Sequence, residues 1–356
     1  MVSMEIAVIG IGAVGTIISA RFAQQGQKTY VVCKHEETLK KVQEHGLRVI
    51  GVKGRYSVKA NIEPVLLIED LPDNLDAILY VTKTIDLEEA IERSLNKLKK
   101  NGTIITTQNG VLEEELSEKY SKYNFLASTI SFGATLLGPA YSQQTSSGEI
   151  IVGRIDGKTP STEVDKKIFS LYNKIEPTTW TDNIIGYKYS KLLINSAISS
   201  LGAVSGLTLG EMMKRKNTRL AFLRIISEGV EVADRNNINL EKLNRLNFYN
   251  LAIPLRGYDP TKFSYGMFKR HLILKLVGKK YQNLKSSMLQ SIERGRKTEI
   301  EHLNGHLVKR GEQLNSDIRL NKYIVALVKK IENGQSTPSI DNLEVVENKT
   351  IEFFNN

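Results

Sequence analysis

One cation stands at the head of an uncharged stretch in the middle of this 356-residue chain: Lys191, followed by Leu192–Gly210 without a charge. Lys191, Asn195 and Ser199 are spaced four residues apart, so an α-helix brings all three onto one face. An ammonium followed by neutral hydrogen-bonding groups can hold a polar substrate and hand it a proton. The plain alternative is a lysine that snorkels from the end of a core helix. The stretch is long enough for a membrane span. Asn195, Ser196, Ser199, Ser200, Ser205 and Thr208, with Gly202 and Gly206, suit a buried helix lined by small residues better.

A second constellation lies near the N-terminus, where Gly10-Ile11-Gly12-Ala13-Val14-Gly15 follows the apolar run Glu5–Ile9 and opens a helical pattern. A GxGxxG between strand and helix binds dinucleotides. Gly10 permits the tight turn, Gly12 lets the backbone approach a pyrophosphate, and Gly15 lets helix and strand pack closely. Ala13 and Val14 begin the helix, whose N-terminal N–H groups and dipole favour phosphate. An acidic residue at the end of the second strand would select NAD; Lys34 stands there instead and suits the 2′-phosphate of NADP. The cofactor expected is therefore NADPH (NADP+).

These groups need a scaffold. Glu5–Ile9, Thr29–Cys33, Ala77–Thr82, Thr103–Thr107 and Phe125–Phe132, with GEIIVGRI after it, have the length and apolarity of strands in one sheet. The run DLEEAIERSLNKLKK between two of them has acids early and lysines late, as a helix prefers. The fold expected is an α/β Rossmann domain with a doubly wound parallel sheet over residues 1–181, then an all-α domain over 182–356, joined by the linker Pro177–Asp182. Lys83 and Asn109 fall at carboxyl ends of strands, where such sheets bind ligands. A solvated loop lysine and an Asn-Gly turn are the plain alternatives.

In the second half, Leu220–Asn236 is amphipathic, with Phe222, Ile225, Ile226, Val230 and Val232 as its apolar set. Leu240–Tyr281 mixes Pro, Gly, aromatics and cations and is expected as short helices and loops, a lid or an interface arm. Ser287–Gln290 and Thr298–Glu301 both fit the S/T-x-x-E/Q capping box. The second would put Glu299 in a first helical turn, which by itself explains a carboxylate there.

Net charge is +10, concentrated in Lys214–Glu299 at +12. Without nucleic-acid motifs, this points to small anions or a solvated surface, and no nucleic-acid or membrane partner is expected. A single cysteine, Cys33, excludes intrachain disulfides, and five scattered histidines show no metal-ligand spacing. MVSMEIAVIG has the pattern of neither a signal nor a transit peptide, so a cytoplasmic location is the default.

Together these residues resemble the ketopantoate reductases (2-dehydropantoate 2-reductases). The resemblance rests on GIGAVG, on VTK ending at Lys83, on QNG with Asn109, on K-x-x-x-N at Lys191 and Asn195, and on SSMLQSIERGRKTEIEHLNGHLV. It implies NADPH-dependent reduction of a 2-oxo acid in pantothenate synthesis, in a cleft between a Rossmann and a helical domain. It implies Lys191 as general acid and Glu299 as second catalytic residue, also near the nicotinamide. Asn109 and Asn195 would position substrate and lysine, Asn109 also at the cofactor; Ser287 would take the substrate carboxylate, and Ser199 would also be a substrate-binding position; Lys34 and Lys83 would hold the adenosine end. Glu228 matches a further family glutamate only weakly. Ser199 and Leu209 replace asparagines usual in the family, which leaves open another 2-oxo acid as substrate. The related hydroxyacid and opine dehydrogenases and a non-catalytic NADP-binding regulator are further alternatives. A homodimer is possible.

Overall fold

Every residue of the strand Ile6–Ile9 is buried, with Ile6 and Val8 in one core cluster and Ala7 and Ile9 in another. A strand apolar on both faces must sit in the middle of a sheet covered on both sides. In the computed structural model, which describes residues 4–243, 246–260, 262 and 264–355, it does. Residues 1–3 of the N-terminal reading, and 244, 245, 261 and 263 of the 240–281 reading, lie outside the described residues.

The chain forms two compact units: residues up to Gln108 with Leu112–Ile185, and Asn109–Val111 with Gly186 onward. In the first, the strands are β1 (Ile6–Ile9), β2 (Thr29–Val32), β3 (Leu47–Gly51), β4 (Tyr56–Val58), β5 (Ile62–Val65), β6 (Leu75–Tyr80), β7 (Leu98–Thr106), β8 (Asn124–Ile130), β9 (Gly133–Gly138), β10 (Tyr141–Ser146), β11 (Ile150–Arg154) and β12 (Thr178–Trp180). The main sheet has eight strands in the order β12-β11-β8-β7-β6-β1-β2-β5. The run β5-β2-β1-β6-β7-β8 is parallel throughout, the doubly wound order of a dinucleotide-binding domain. The helices are α1 (Ala13–Gln24), α2 (Glu36–His45), α3 (Leu87–Ser94), α4 (Glu113–Lys119) and α5 (Glu163–Asn173). Core residues of α1 and α5 lie in the cluster of Ile6 and Val8; those of α3 and α4 lie in that of Ala7 and Ile9.

Four features depart from the sequence reading. The strand GEIIVGRI joins antiparallel to β8, so the sheet is mixed. The expected linker contains β12, an edge strand paired with Ile150–Val152. The helix expected over DLEEAIERSLNKLKK ends at Ser94; β7 begins at Leu98, and Lys99 bonds Asp76 of β6 at 2.8 Å. A second sheet, β4-β3-β10-β9, was not anticipated. Its short strands share a core with Phe22 and Ala23 of α1 through Leu47, Val49 and Val58.

The second unit carries α6 (Ile184–Ser205), α7 (Leu209–Lys214), α8 (Lys216–Arg235), α9 (Phe248–Leu251), α10 (Tyr265–Lys280), α11 (Ser287–Glu293), α12 (Asn304–Gln313), α13 (Arg319–Glu332) and α14 (Ile340–Asn355). The expected apolar set of α8 is buried in full, and so are Arg224 and Glu228 beside it. Among the described residues no helix is long and apolar enough to cross a membrane.

Candidate active site

The glycine loop is shaped by two crowded positions and one open one. Gly10 has φ +102, and a Cβ there would come within 2.8 Å of the Val81 and Thr82 backbone. At Gly15 a Cβ would run into the Gly10 carbonyl oxygen, whereas at Gly12 it would meet nothing within 4 Å. The first bond of α1 runs from the Thr16 N–H to the Gly12 carbonyl at 3.0 Å, leaving the N–H groups of Ala13, Val14 and Gly15 ahead of the ladder. Room at Gly12 and unladdered donors behind it are what a phosphate needs.

A cavity of about 580 Å³ adjoins this loop. Gly10, Gly12, Thr82, Lys34 and Lys83 line it, with an apolar wall from Leu66, Leu67, Ile68 and Ala90. Lys34 takes φ +64 as the chain leaves β2, and its N–H donates to the Leu66 carbonyl at 2.9 Å. Both lysines are exposed. Two cations, an open glycine and an apolar wall fit a phosphorylated dinucleotide. Asp86, Glu89 and Arg93 also line the cavity and were not singled out in the sequence.

In the second unit, α6 supplies Lys191. Lys191, Ile194, Asn195 and Ile198 keep partial exposure while their neighbours are buried, so one stripe of the helix stays reachable. The Lys191 amine is nonetheless packed closely enough that loss of water lowers its pKa to about 8; Lys188 adds to the fall and Glu299 opposes it. Lys188 is only 2% exposed and lies one turn earlier on α6. Sequence reasoning passed over it; its i, i+3 spacing to Lys191 was the available signal. The Asn195 side chain makes no hydrogen bond among the described residues; its backbone is in the ladder of α6. Ser199 is 5% exposed and lies at the margin of the stripe.

Glu299 sits at the start of a 3-10 turn, Ile300–His302, that leads into α12. Its backbone carbonyl accepts the N–H groups of His302 and Leu303 at 3.0 Å. Its carboxylate does not cap the turn; it accepts a hydrogen bond from Asn109 Nδ2 at 3.4 Å, across 190 residues of sequence. The expected capping box at Thr298–Glu301 does not form. Thr298 Oγ1 accepts from the Ile300 N–H at 3.1 Å, and Glu301 pairs with Lys329 of α13, so neither side chain is free to close it. The Asn109–Gly110 turn has Gly110 at φ +85, and a Cβ there would approach the His302 carbonyl oxygen to 2.7 Å. Asn-Gly is thus a turn and also brings Asn109 to Glu299. Burial lowers the His302 pKa, against the pull of Glu299.

The other candidates are more dispersed. Ser286, not Ser287, caps α11: its hydroxyl accepts from the Leu289 N–H at 3.2 Å and donates to the Ser199 carbonyl at 3.2 Å. Gly202 leaves room for it, since a Cβ there would come within 2.6 Å of the Ser286 hydroxyl. Ser287 is the exposed first residue of that helix. Leu209 is buried at 1% exposure and offers no polar group. Glu228 is fully buried, bonded to Arg224 at 3.0 Å, to the N–H groups of Leu320 and Asn321 at 3.0 and 2.9 Å, and to Asn321 Nδ2 at 2.8 Å. That pattern anchors the start of α13.

Comparison with known proteins agrees with the fold described above. Models of the family described as "Ketopantoate reductase PanE/ApbA" match residues 6–157 and, for its C-terminal part, 183–332. The 2-dehydropantoate 2-reductase of Archaeoglobus fulgidus is 26% identical over 332 residues, covering 93% of this chain and 98% of its own. A PanE/ApbA family ketopantoate reductase from Ralstonia eutropha superposes with TM-score 0.76 at 21% identity, covering 93% of this chain and 99% of that one. D-mandelate dehydrogenase, solved with NADH and anilino(oxo)acetate, superposes with TM-score 0.74 at 20% identity, covering 93% and 99%.

Proposed function

The chain belongs to the ketopantoate reductase PanE/ApbA family, and from that membership we propose that it reduces 2-dehydropantoate to pantoate with NADPH, Lys191 being the general acid. The reaction would serve pantothenate and coenzyme A synthesis. The observation that carries this reading is the gathering of Lys191, Glu299 and Asn109: a lysine with a lowered pKa, a carboxylate not spent on capping, and an amide donor.

Gly10, Gly12, Lys34 and Lys83 would hold the dinucleotide, which would supply the hydride for the ketone carbon. As charge builds on the ketone oxygen, the Lys191 ammonium stabilises it and gives up a proton to complete the alcohol. A pKa near 8 keeps the amine mostly protonated at neutral pH while making it a readier donor than an exposed lysine. Glu299 accepts a hydrogen bond from the new hydroxyl and opposes the loss of charge at Lys191. Asn109 and Asn195 orient substrate and acid, and Ser287 takes the carboxylate. Lys34 and Lys83 hold the phosphates of the adenosine end, Lys34 the 2′-phosphate.

A second reading keeps the chemistry and changes the substrate. Leu209 and Ser199 are 1% and 5% exposed, so two positions that carry asparagines in the resembled pattern offer little polar surface. A bulkier or more apolar 2-oxo acid suits that change. The D-mandelate dehydrogenase fold match is compatible with it.

The test is NADPH oxidation with ketopantoate beside a panel of 2-oxo acids, with NADH as the control cofactor. Fast turnover of ketopantoate alone supports the first reading; fast turnover of another oxo acid moves the substrate; none on any of them removes both. Lys34→Asp should weaken NADPH binding by about 10-fold to 100-fold, the scale of a charge-assisted hydrogen bond. NADH binding should change little, and equal losses for the two cofactors would reject the assignment of Lys34 to the 2′-phosphate.

A further inference from the structure

Helix α10 is apolar on two opposite sides. Met267, Leu274 and Gly278 face inward, where a Cβ on Gly278 would run into the Met213 side chain. On the other side stand Tyr265, Phe268, Leu272 and Leu276, at 65%, 56%, 46% and 59% exposure. Their spacing of i, i+3, i+7 and i+11 makes one outward stripe. A helix packed on a core by one face ordinarily presents polar residues on the other. Tyr281 and Leu284, just past the helix, are each 43% exposed and extend the patch.

Charge around the stripe has one sign. Tyr265–Lys280 holds five Lys or Arg and no Asp or Glu; beyond it Lys285 pairs with Glu293. Lys269, Lys275, Lys279 and Lys280 are exposed on α10 and enter no ion pair among the described residues. Two of them lie over the terminal tyrosines, Lys269 at 4.5 Å from the Tyr265 ring and Lys280 at 5.1 Å from that of Tyr281. A second copy meeting this face through a twofold axis would set lysines against lysines. The occupant must offer negative charge outside and hydrocarbon behind it.

We propose that the outer face of α10 docks on an anionic lipid surface, with Phe268, Leu272 and Leu276 entering the acyl boundary and the flanking lysines meeting the headgroups. Aromatic rings at both ends suit the headgroup level, and long cationic side chains reach past an apolar stripe to charge. This revises the expectation of no membrane partner without requiring a spanning segment. None of these side chains belongs to the Lys191 cluster or to the dinucleotide cavity.

The experiment is flotation of the full chain with vesicles of phosphatidylcholine alone and of phosphatidylcholine with phosphatidylglycerol in equal parts. Binding is expected only to the anionic vesicles, and is lost at about 1 M salt, where charges are screened beyond about 3 Å. Replacing Phe268, Leu272 and Leu276 together by Ser should lower binding at least about tenfold. Lys275→Glu with Lys279→Glu, which leaves the apolar stripe intact, should do the same. NADPH oxidation and the melting temperature, measured alongside, should stay as in the wild type. Absence of flotation with anionic vesicles, or flotation of both variants equal to that of the wild type, overturns the proposal. So does a wild type that is a dimer by light scattering where the serine variant is a monomer, which would put a second copy on this face.

Discussion

Arg224, Glu228 and Asp317 form a charge cluster closed to solvent, whereas Lys191, Glu299 and Asn109 form one that keeps a reachable side. In the first, Arg224 and Glu228 are fully buried. Arg224 bonds Glu228 at 3.0 Å and Asp317 at 2.9 Å and lies 4.4 Å from the Phe354 ring. Two backbone N–H groups and the Asn321 amide complete the acceptor capacity of Glu228. In the second, Lys191 and Glu299 are each partly exposed, and the bond from Asn109 to Glu299 is long at 3.4 Å. Both clusters contain a group with a shifted pKa: burial pushes Glu228 up to about 7 and Lys191 down to about 8. A shifted pKa alone therefore does not mark a catalytic group. What separates the two clusters is whether the desolvated charge can still be approached.

The sharpest way to break this contrast is a pair of truncations. Lys191→Ala should cut turnover by at least about 100-fold, the scale of lost general acid catalysis, with the melting temperature nearly unchanged. Glu228→Ala should do the reverse: it strands Arg224 and should cost about 3–5 kcal/mol of stability, while the fraction still folded turns over normally. Chemical denaturation beside steady-state rates separates the two. A Lys191 variant that melts early but stays active would make it the structural lysine and erase the distinction.

Glu299→Gln is the next test, expected to lower turnover by roughly 10-fold to 100-fold with little change in melting. If only melting fell, the carboxylate would be serving the turn at Ile300–His302.

The pH profile sharpens the same point. Lys191 must be protonated to act as acid, so turnover in the reductive direction should hold at neutral pH and fall as pH rises through about 8. Lys188→Met removes a like charge one turn away and should move that fall to higher pH. An unchanged profile would mean that Lys188 acts only in packing.

The smallest effect concerns α11. Ser286→Ala should cost about 1 kcal/mol as a lost cap, whereas Ser287→Ala should leave stability untouched and raise KM if Ser287 meets the substrate carboxylate. Equal small losses of stability from both, without a change in KM, would remove Ser287 from the site.

Much of this was legible before any coordinates. Glu5–Ile9 followed by Gly10, Gly12 and Gly15 specifies a strand, a turn and a helix locally, because apolar length and glycine geometry act within a few residues. Lys34 and Lys83 follow from that frame, since a strand end and the residue after it are neighbours by covalent chemistry. The i, i+4 row from Lys191 to Asn195 is likewise helix arithmetic. Reading by local pattern failed where partners were distant. Thr178–Trp180 is a strand only because β11 offers an edge. Lys99 left its expected helix for a strand, beside Asp76. The second sheet is made of three- to six-residue strands too short to show a period.

The same division holds at the site. The local sequence determined which residue types were available and on which elements they stand: a lysine heading an uncharged helix, a glycine loop after a buried strand, a glutamate beside a serine or threonine cap signal. Only the tertiary structure decided what each one does with its side chain. It gave the cap of α11 to Ser286 and left Ser287 outside, broke the box at Thr298 by drawing Glu301 to Lys329, and buried Leu209. It also set Glu228 among four donors while turning Glu299 toward Asn109. Hydrogen bonding and desolvation depend on which groups from remote segments arrive within about 3 Å, and no spacing along the chain records that.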